Sequence, residues 1–182
     1  TSRDKSSSSR RNPNSIVSSL KPQVIFVSKN EDNPTTRYRI QPLLRALTKN
    51  NVRIQRLDSD GGLKLRIRLL IAARSADVII IQRKLFDSLF LNLLSKFCDK
   101  IIFDFDDAIF TKSNGHAAPS RMQRFSRTVN IAWQVWAGNQ YLRTVATQQL
   151  SQNKADAKAI ASIKYVPTAI ETEKYYQQPK QA

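Results

Sequence analysis

Val78-Ile79-Ile80-Ile81-Gln82-Arg83 and, further on, Ile101-Ile102-Phe103-Asp104-Phe105-Asp106-Asp107 decide the fold of this chain. Each begins as an unbroken apolar run and ends in amide or charged side chains. A strand that is apolar at every position has no face to give to water, so it must be covered on both sides. A parallel sheet with helices on either face meets that condition. Right-handed crossovers then make the sheet doubly wound, and in such sheets ligands bind beyond the carboxyl ends of the strands. The expected class is therefore α/β, a doubly wound and mostly parallel Rossmann-like sheet.

Working outward, the same alternation of elements continues on both sides. Upstream, residues 23–27 (Gln-Val-Ile-Phe-Val) read as a buried strand. A helix follows whose Ile40, Leu43, Leu44 and Leu47 keep i, i+3, i+4, i+7 spacing, with Thr35 or Thr36 as its cap. Residues 52–57 alternate and suit a strand near the sheet edge. Residues 63–74 read as a helix, although 64–69 also alternate with period two. Between the two deciding runs, 84–97 form a helix. Downstream come a loop at 111–118, a helix at 119–130 opened by Pro119, a strand at 132–137, a helix from Asn139 to about Leu150, and a last strand at 162–166. Residues 1–20, rich in Ser, Arg and Asn, read as a disordered basic tail ahead of a domain spanning 21–168.

The 182 residues suffice for one such domain with a proper core. Thirty Lys and Arg against 14 Asp and Glu give a net charge of +16, which predicts attraction to a polyanion: nucleic acid, an anionic membrane face or a phosphorylated substrate. One cysteine, Cys98, in an apolar setting reads as a buried structural thiol. With a single histidine, His116, it excludes the usual Cys/His zinc sites. No run approaches the ~20 apolar residues that span a bilayer, and the start lacks a signal-peptide pattern. The expected location is cytoplasmic, at most peripheral on the inner face of a membrane.

The loops at the carboxyl ends of the strands carry the candidate chemistry. Thr35, Arg37 and Arg39 stand at a helix start, where arginines and free backbone N–H groups suit a phosphate or another anion. Arg37 and Arg39 could equally be solvated charge, or pair with the acidic loops. Arg83 leaves its strand at the rim of the same crevice. Asp104, Asp106 and Asp107 repel one another unless cations or ligands answer them. They could clamp Arg37, Arg39 and Arg83, and one of them could orient or deprotonate a substrate hydroxyl. Asp106 and Asp107 are the candidate catalytic carboxylates. Thr35, Arg37, Arg39, Arg83, Asp104 and Asn139 are the candidate acceptor- or phosphate-binding residues. No metal ligand is assigned, although Mg²⁺ takes carboxylate oxygens. Trp133 and Trp136 read as packing residues and His116 as surface.

The series Asn33-Pro34-Thr35-Thr36-Arg37-Tyr38-Arg39, Val78 to Arg83, Ile101 to Phe110, Val135-Trp136-Ala137-Gly138-Asn139-Gln140-Tyr141-Leu142 and Tyr165-Val166-Pro167-Thr168-Ala169-Ile170-Glu171 resembles the N-terminal half of family 4, GT-B-type glycosyltransferases. Ala132-Trp133 departs from the Ala-Asp common there. The resemblance implies a crevice facing a saccharide or lipid-linked acceptor, with no cofactor held by this domain. It implies that residues 169–182 open an interdomain linker, and that a nucleotide sugar is bound by a C-terminal donor domain absent from this chain, which alone would be inactive. Two rival readings are a noncatalytic or partner-dependent module and a nucleic-acid-binding protein. No nucleic-acid motif supports the second.

Overall fold

The computed structural model describes residues 21–30, 32–152 and 162–168. The expected tail (1–20), the expected linker (169–182) and Glu31 lie outside the described residues. Six strands form one sheet: β1 Gln23–Ser28, β2 Arg53–Asp58, β3 Val78–Gln82, β4 Ile101–Phe105, β5 Gln134–Ala137 and β6 Ile163–Tyr165. Their order is β2-β1-β3-β4-β5-β6 and every pairing is parallel. The connections run through α1 Gln41–Lys49, α2 Gly62–Ala73, α3 Ser88–Leu94, α4 Pro119–Ile131 and α5 Gln140–Gln152. A π-helical turn, Thr36–Ile40, leads straight into α1.

Strand alternation sorts the side chains onto two faces. Ile25, Val27, Ile79, Ile81 and Ile101 pack under Leu65 and Leu69 of α2 and Phe90, Leu91 and Leu94 of α3. Phe103, Phe105, Val135 and Ile163 continue that face under Phe125 and Val129 of α4 and Leu142, Ala146 and Leu150 of α5. The opposite face, carrying Val24, Phe26, Ile80 and Ile102, is covered by Ile40 and by Leu43, Leu44 and Leu47 of α1. Since β1 connects outward to β2 and the chain then returns to β3, the order reverses between β1 and β3. A reversal of this kind opens a crevice at the carboxyl ends of the two strands.

Several expectations shift for local reasons. The helix expected at 63–74 forms as Gly62–Ala73 despite the period-two alternation at 64–69, because Leu65, Leu69, Ala72 and Ala73 together make one buried stripe. The expected helix at 84–97 shrinks to Ser88–Leu94: Arg83 takes a left-handed φ of 52°, and Asp87 stays extended while its carboxylate accepts from the Phe90 N–H (3.0 Å). Neither Thr35 nor Thr36 caps the first helix. Asn33 does, its side-chain oxygen accepting from the Thr35 N–H (3.1 Å) and its carbonyl from the Arg37 N–H (3.0 Å). Trp133 is not a packing residue, being 48% exposed; its backbone N–H donates to the Ile101 carbonyl (2.8 Å). Trp136 is half-buried and packs against the α1 face. Cys98 is buried, and burial pushes its thiol pKa up.

Candidate functional site

Parallel register places Gln82 opposite Asp104, and Asp104 opposite Trp136, in one row at the carboxyl edge of the α1 face. The π-helical turn lies over this row. A π turn carries one more residue per hydrogen-bonded ring than an α turn, a device found often at functional sites. Buried Thr36 donates to the Lys29 carbonyl (3.3 Å) and lies 3.4 Å from Gln82 Oε1. Three residues on, the Arg39 guanidinium meets Asp104 through two hydrogen bonds, Nη2 to Oδ1 and Nε to Oδ2 (3.2 Å). Both side chains are only 3% exposed. Arg39 Nη1 also donates to the Val166 carbonyl (2.8 Å) and to Thr168 Oγ1 (3.2 Å), so one guanidinium ties the π turn, β4 and the segment after β6 together. Burial pushes the Asp104 carboxyl above its ordinary range and Asp106 adds to that push, while the Arg39 guanidinium opposes both.

A second arginine organises the open side of the crevice. Arg83 Nη1 donates to Thr35 Oγ1 (2.9 Å), its Nη2 to Asp107 Oδ2 (2.6 Å), and its Nε lies 3.6 Å from Asp106 Oδ1. Its left-handed backbone, unfavourable for a residue with a Cβ, is fixed by the Arg83 N–H donating to the Asp104 carbonyl (2.9 Å). Strain of this kind persists where surroundings impose it, and here it turns the guanidinium toward Thr35 on one side and Asp106 and Asp107 on the other. The other Asp107 oxygen accepts from the Ala108 N–H (2.8 Å). Asp106 Oδ1 is buried and accepts no hydrogen bond among the described residues.

The sequence-predicted residues therefore divide. Thr35, Arg83, Asp106 and Asp107 come together at the crevice. Arg39 and Asp104 join the same cluster but face each other in the interior, and neither offers a free charge to a ligand. β4 ends at Phe105, so strand alternation does not hold Asp106 on the face of Asp104. Arg37 is exposed, its guanidinium 6.0 Å from the Tyr38 ring centroid, with no carboxylate partner among the described residues. Asn139 caps α5, its side-chain oxygen accepting from the Leu142 N–H (2.9 Å). Among the described residues no group of three or more His, Cys, Asp or Glu could hold a metal ion, and no helix is long and apolar enough to cross a membrane.

Two features had no assignment in the sequence. Gly138 follows β5 directly beneath the acidic loop: a Cβ there would lie 2.8 Å from both Cα and Cβ of Asp106. Its position just past a strand's carboxyl end was the available signal, since a close backbone approach requires glycine. Beside Asp107, a cleft of about 510 Å³ is walled by the 108–115 loop and the first turns of α4, including Arg121 and Arg124. Arginine at a helix start was noted for Arg37 and Arg39, and Arg121 and Arg124 after Pro119 offered the same kind of signal.

No protein-family model matches the sequence, and no curated protein matches it. Among solved structures, that of HepE from Anabaena, in complex with UDP and glucose, superposes with a TM-score of 0.52 at 13% identity. The match covers 87% of this chain and 47% of HepE, so the chain spans about half the length of that protein. At that identity the likeness concerns architecture: this chain has a Rossmann-like α/β fold, a six-stranded parallel sheet flanked by helices, of the kind found in HepE.

Proposed function

We propose that this chain is the acceptor-side half of a GT-B-type glycosyltransferase, acting with a donor domain that binds the nucleotide sugar. The observation that carries the reading is the Thr35–Arg83–Asp106–Asp107 cluster at the crevice where the strand order reverses. The likeness of this domain to part of a protein crystallised with UDP and glucose supports it. Sugar transfer needs a group to orient the acceptor hydroxyl and take its proton as its oxygen bonds to the sugar carbon. The bond from that carbon to the nucleotide's phosphate breaks, and the nucleoside diphosphate leaves with the electron pair. Asp106 suits that role: its side chain stays 19% exposed beside Arg83, and among the described residues its Oδ1 accepts no hydrogen bond. Asp107 is committed to Arg83 Nη2 and the Ala108 N–H, and so holds the guanidinium in position. The Arg39–Asp104 pair fixes the floor beneath both.

The acceptor is a saccharide or a lipid-linked saccharide, and the domain works against an anionic membrane surface. The charge of +16 supports this, as do Leu63, Ile67 and Ile71 on α2 and Leu89 and Leu93 on α3, which are exposed and accompanied by Lys64 and Arg68. Leu65 and Leu69, alternating with them, face the core instead. To test the reading, the chain is supplied with a nucleotide-sugar-binding domain, fused or added separately, and transfer to glycolipid acceptors is measured. The expected result is transfer by the pair and none by this chain alone. Turnover of a nucleotide sugar by this chain alone would contradict the division of labour.

A further inference from the structure

We infer that the cleft beside Asp107 is a phosphate-group site, built to hold the phosphate or diphosphate of the molecule that reacts at the crevice. The cleft, about 510 Å³, is lined by four cations, Arg83, Lys112, Arg121 and Arg124, against the single carboxylate of Asp107. Arg83 and Asp107 satisfy each other. Three positive charges remain, and among the described residues none of Lys112, Arg121 and Arg124 has a carboxylate partner. Like charges gathered around one concavity repel unless an anion answers them, and guanidinium forks match phosphate oxygens in pairs.

The wall of the cleft is fixed rather than loose. Phe110 anchors the loop, its ring centroid 4.9 Å from that of Phe125 within a cluster that includes Phe105. A bridge pairs Thr111 with Ala117, and Arg121 Nη1 donates to the Thr111 carbonyl (2.6 Å), aligning its guanidinium along the wall. α4 begins at Pro119 with neither a side-chain cap nor an acid in its first turn, so the positive end of its dipole adds to Arg121 and Arg124. Leu85 and Ile109 supply an apolar patch in the same cleft, suited to the first carbons of a chain attached to the phosphate. That this anion belongs to the acceptor rests on the function proposed above, because the cleft adjoins Asp107.

The test is isothermal titration of the chain with inorganic pyrophosphate and, separately, with geranyl diphosphate, a water-soluble prenyl diphosphate. One site per chain is expected. Arg121→Gln with Arg124→Gln should weaken it by about 10–100-fold, the effect of losing one or two charge-assisted hydrogen bonds. Arg53→Gln with Arg143→Gln, exposed cations outside the cleft, should leave binding unchanged. Tighter binding of geranyl diphosphate would identify a lipid-linked source, and equal binding a site reading the phosphates alone. Equal affinity in the wild type and the Arg121/Arg124 variant, or an equal loss in the control, would overturn the site and leave only diffuse charge. Binding is read without turnover, so failure of sugar transfer would remove the acceptor assignment while this result stood.

Discussion

Replacing Asp104 by Asn separates the scaffold of the crevice from its chemistry. In the wild type a guanidinium and a carboxylate, each side chain 3% exposed, satisfy one another through two hydrogen bonds. Asn keeps the shape and removes one charge, leaving Arg39 ionised in the interior. Breaking a buried pair from one side costs about 3–5 kcal/mol. The lower end applies here, because Arg39 Nη1 keeps the Val166 carbonyl and Thr168 Oγ1. For a chain of this size each kcal/mol lowers Tm by about 2–4 °C, so a fall of roughly 6–12 °C is expected in thermal melts followed by circular dichroism. Arg39→Met breaks the same pair from the other side with a different pH dependence. Burial already pushes the Asp104 carboxyl up, Asp106 adds to it, and the opposing guanidinium is now gone. A carboxyl whose folded pKa is raised contributes stability that is complete below the unfolded value and is lost as pH rises through the folded value. The Arg39→Met deficit relative to wild type should therefore be smallest near pH 4 and grow toward neutrality. The Asp104→Asn deficit should instead shrink as pH rises, because the wild-type carboxyl is itself raised and its contribution is lost over that window. An Asp104→Asn loss below about 1 kcal/mol, or an Arg39→Met deficit independent of pH, would refute the buried-pair account.

Asp87→Ala removes the cap of α3 and should cost about 1 kcal/mol in chemical denaturation. The Phe90 N–H and Arg66 hold the Asp87 carboxyl below its ordinary range, so its contribution is present above the unfolded pKa and is lost as pH falls through the folded one; the mutational difference should shrink in acid. Gly138→Ala drives a Cβ into Asp106 and should cost about 1–3 kcal/mol through overpacking. Transfer by the reconstituted enzyme should fall further than that loss of folding explains. Ile67→Glu with Leu89→Glu, both exposed in the wild type, should reduce retention on anionic vesicles by about tenfold without lowering Tm. Unchanged retention would remove these helices from the membrane contact.

Much of this architecture was legible because its signals are dense and local. Val78–Ile81 and Ile101–Phe103 left no choice but a covered parallel sheet, and Ile40, Leu43, Leu44 and Leu47 specified one helix face. The crevice was legible too, since strand ends can be counted along the chain. Pairing was not. Nothing in the spacing of Arg39 and Arg83 says that the first faces Asp104 in the interior and the second faces Asp107 at the rim. That outcome depends on the π turn, which rotates Arg39 inward, and on the left-handed Arg83 backbone, neither of which has a residue signature. Asn139 followed a strand end and suggested a ligand contact, yet its side-chain oxygen caps the next helix. The α3 boundary was missed because Asp87, inside an apolar stretch, competes with the helix for its own backbone donors.

The acceptor-side reading stands or falls on Asp106. Turnover and melting temperature are to be measured on the same Asp106→Asn variant of the chain combined with a donor domain. Asn preserves shape and removes proton acceptance. The expected result is a Tm close to wild type with transfer reduced about 10²–10⁴-fold, the usual loss when a positioned base is removed. A stable, fully active Asp106→Asn enzyme would contradict it, and would leave the acidic loop as a clamp for Arg83.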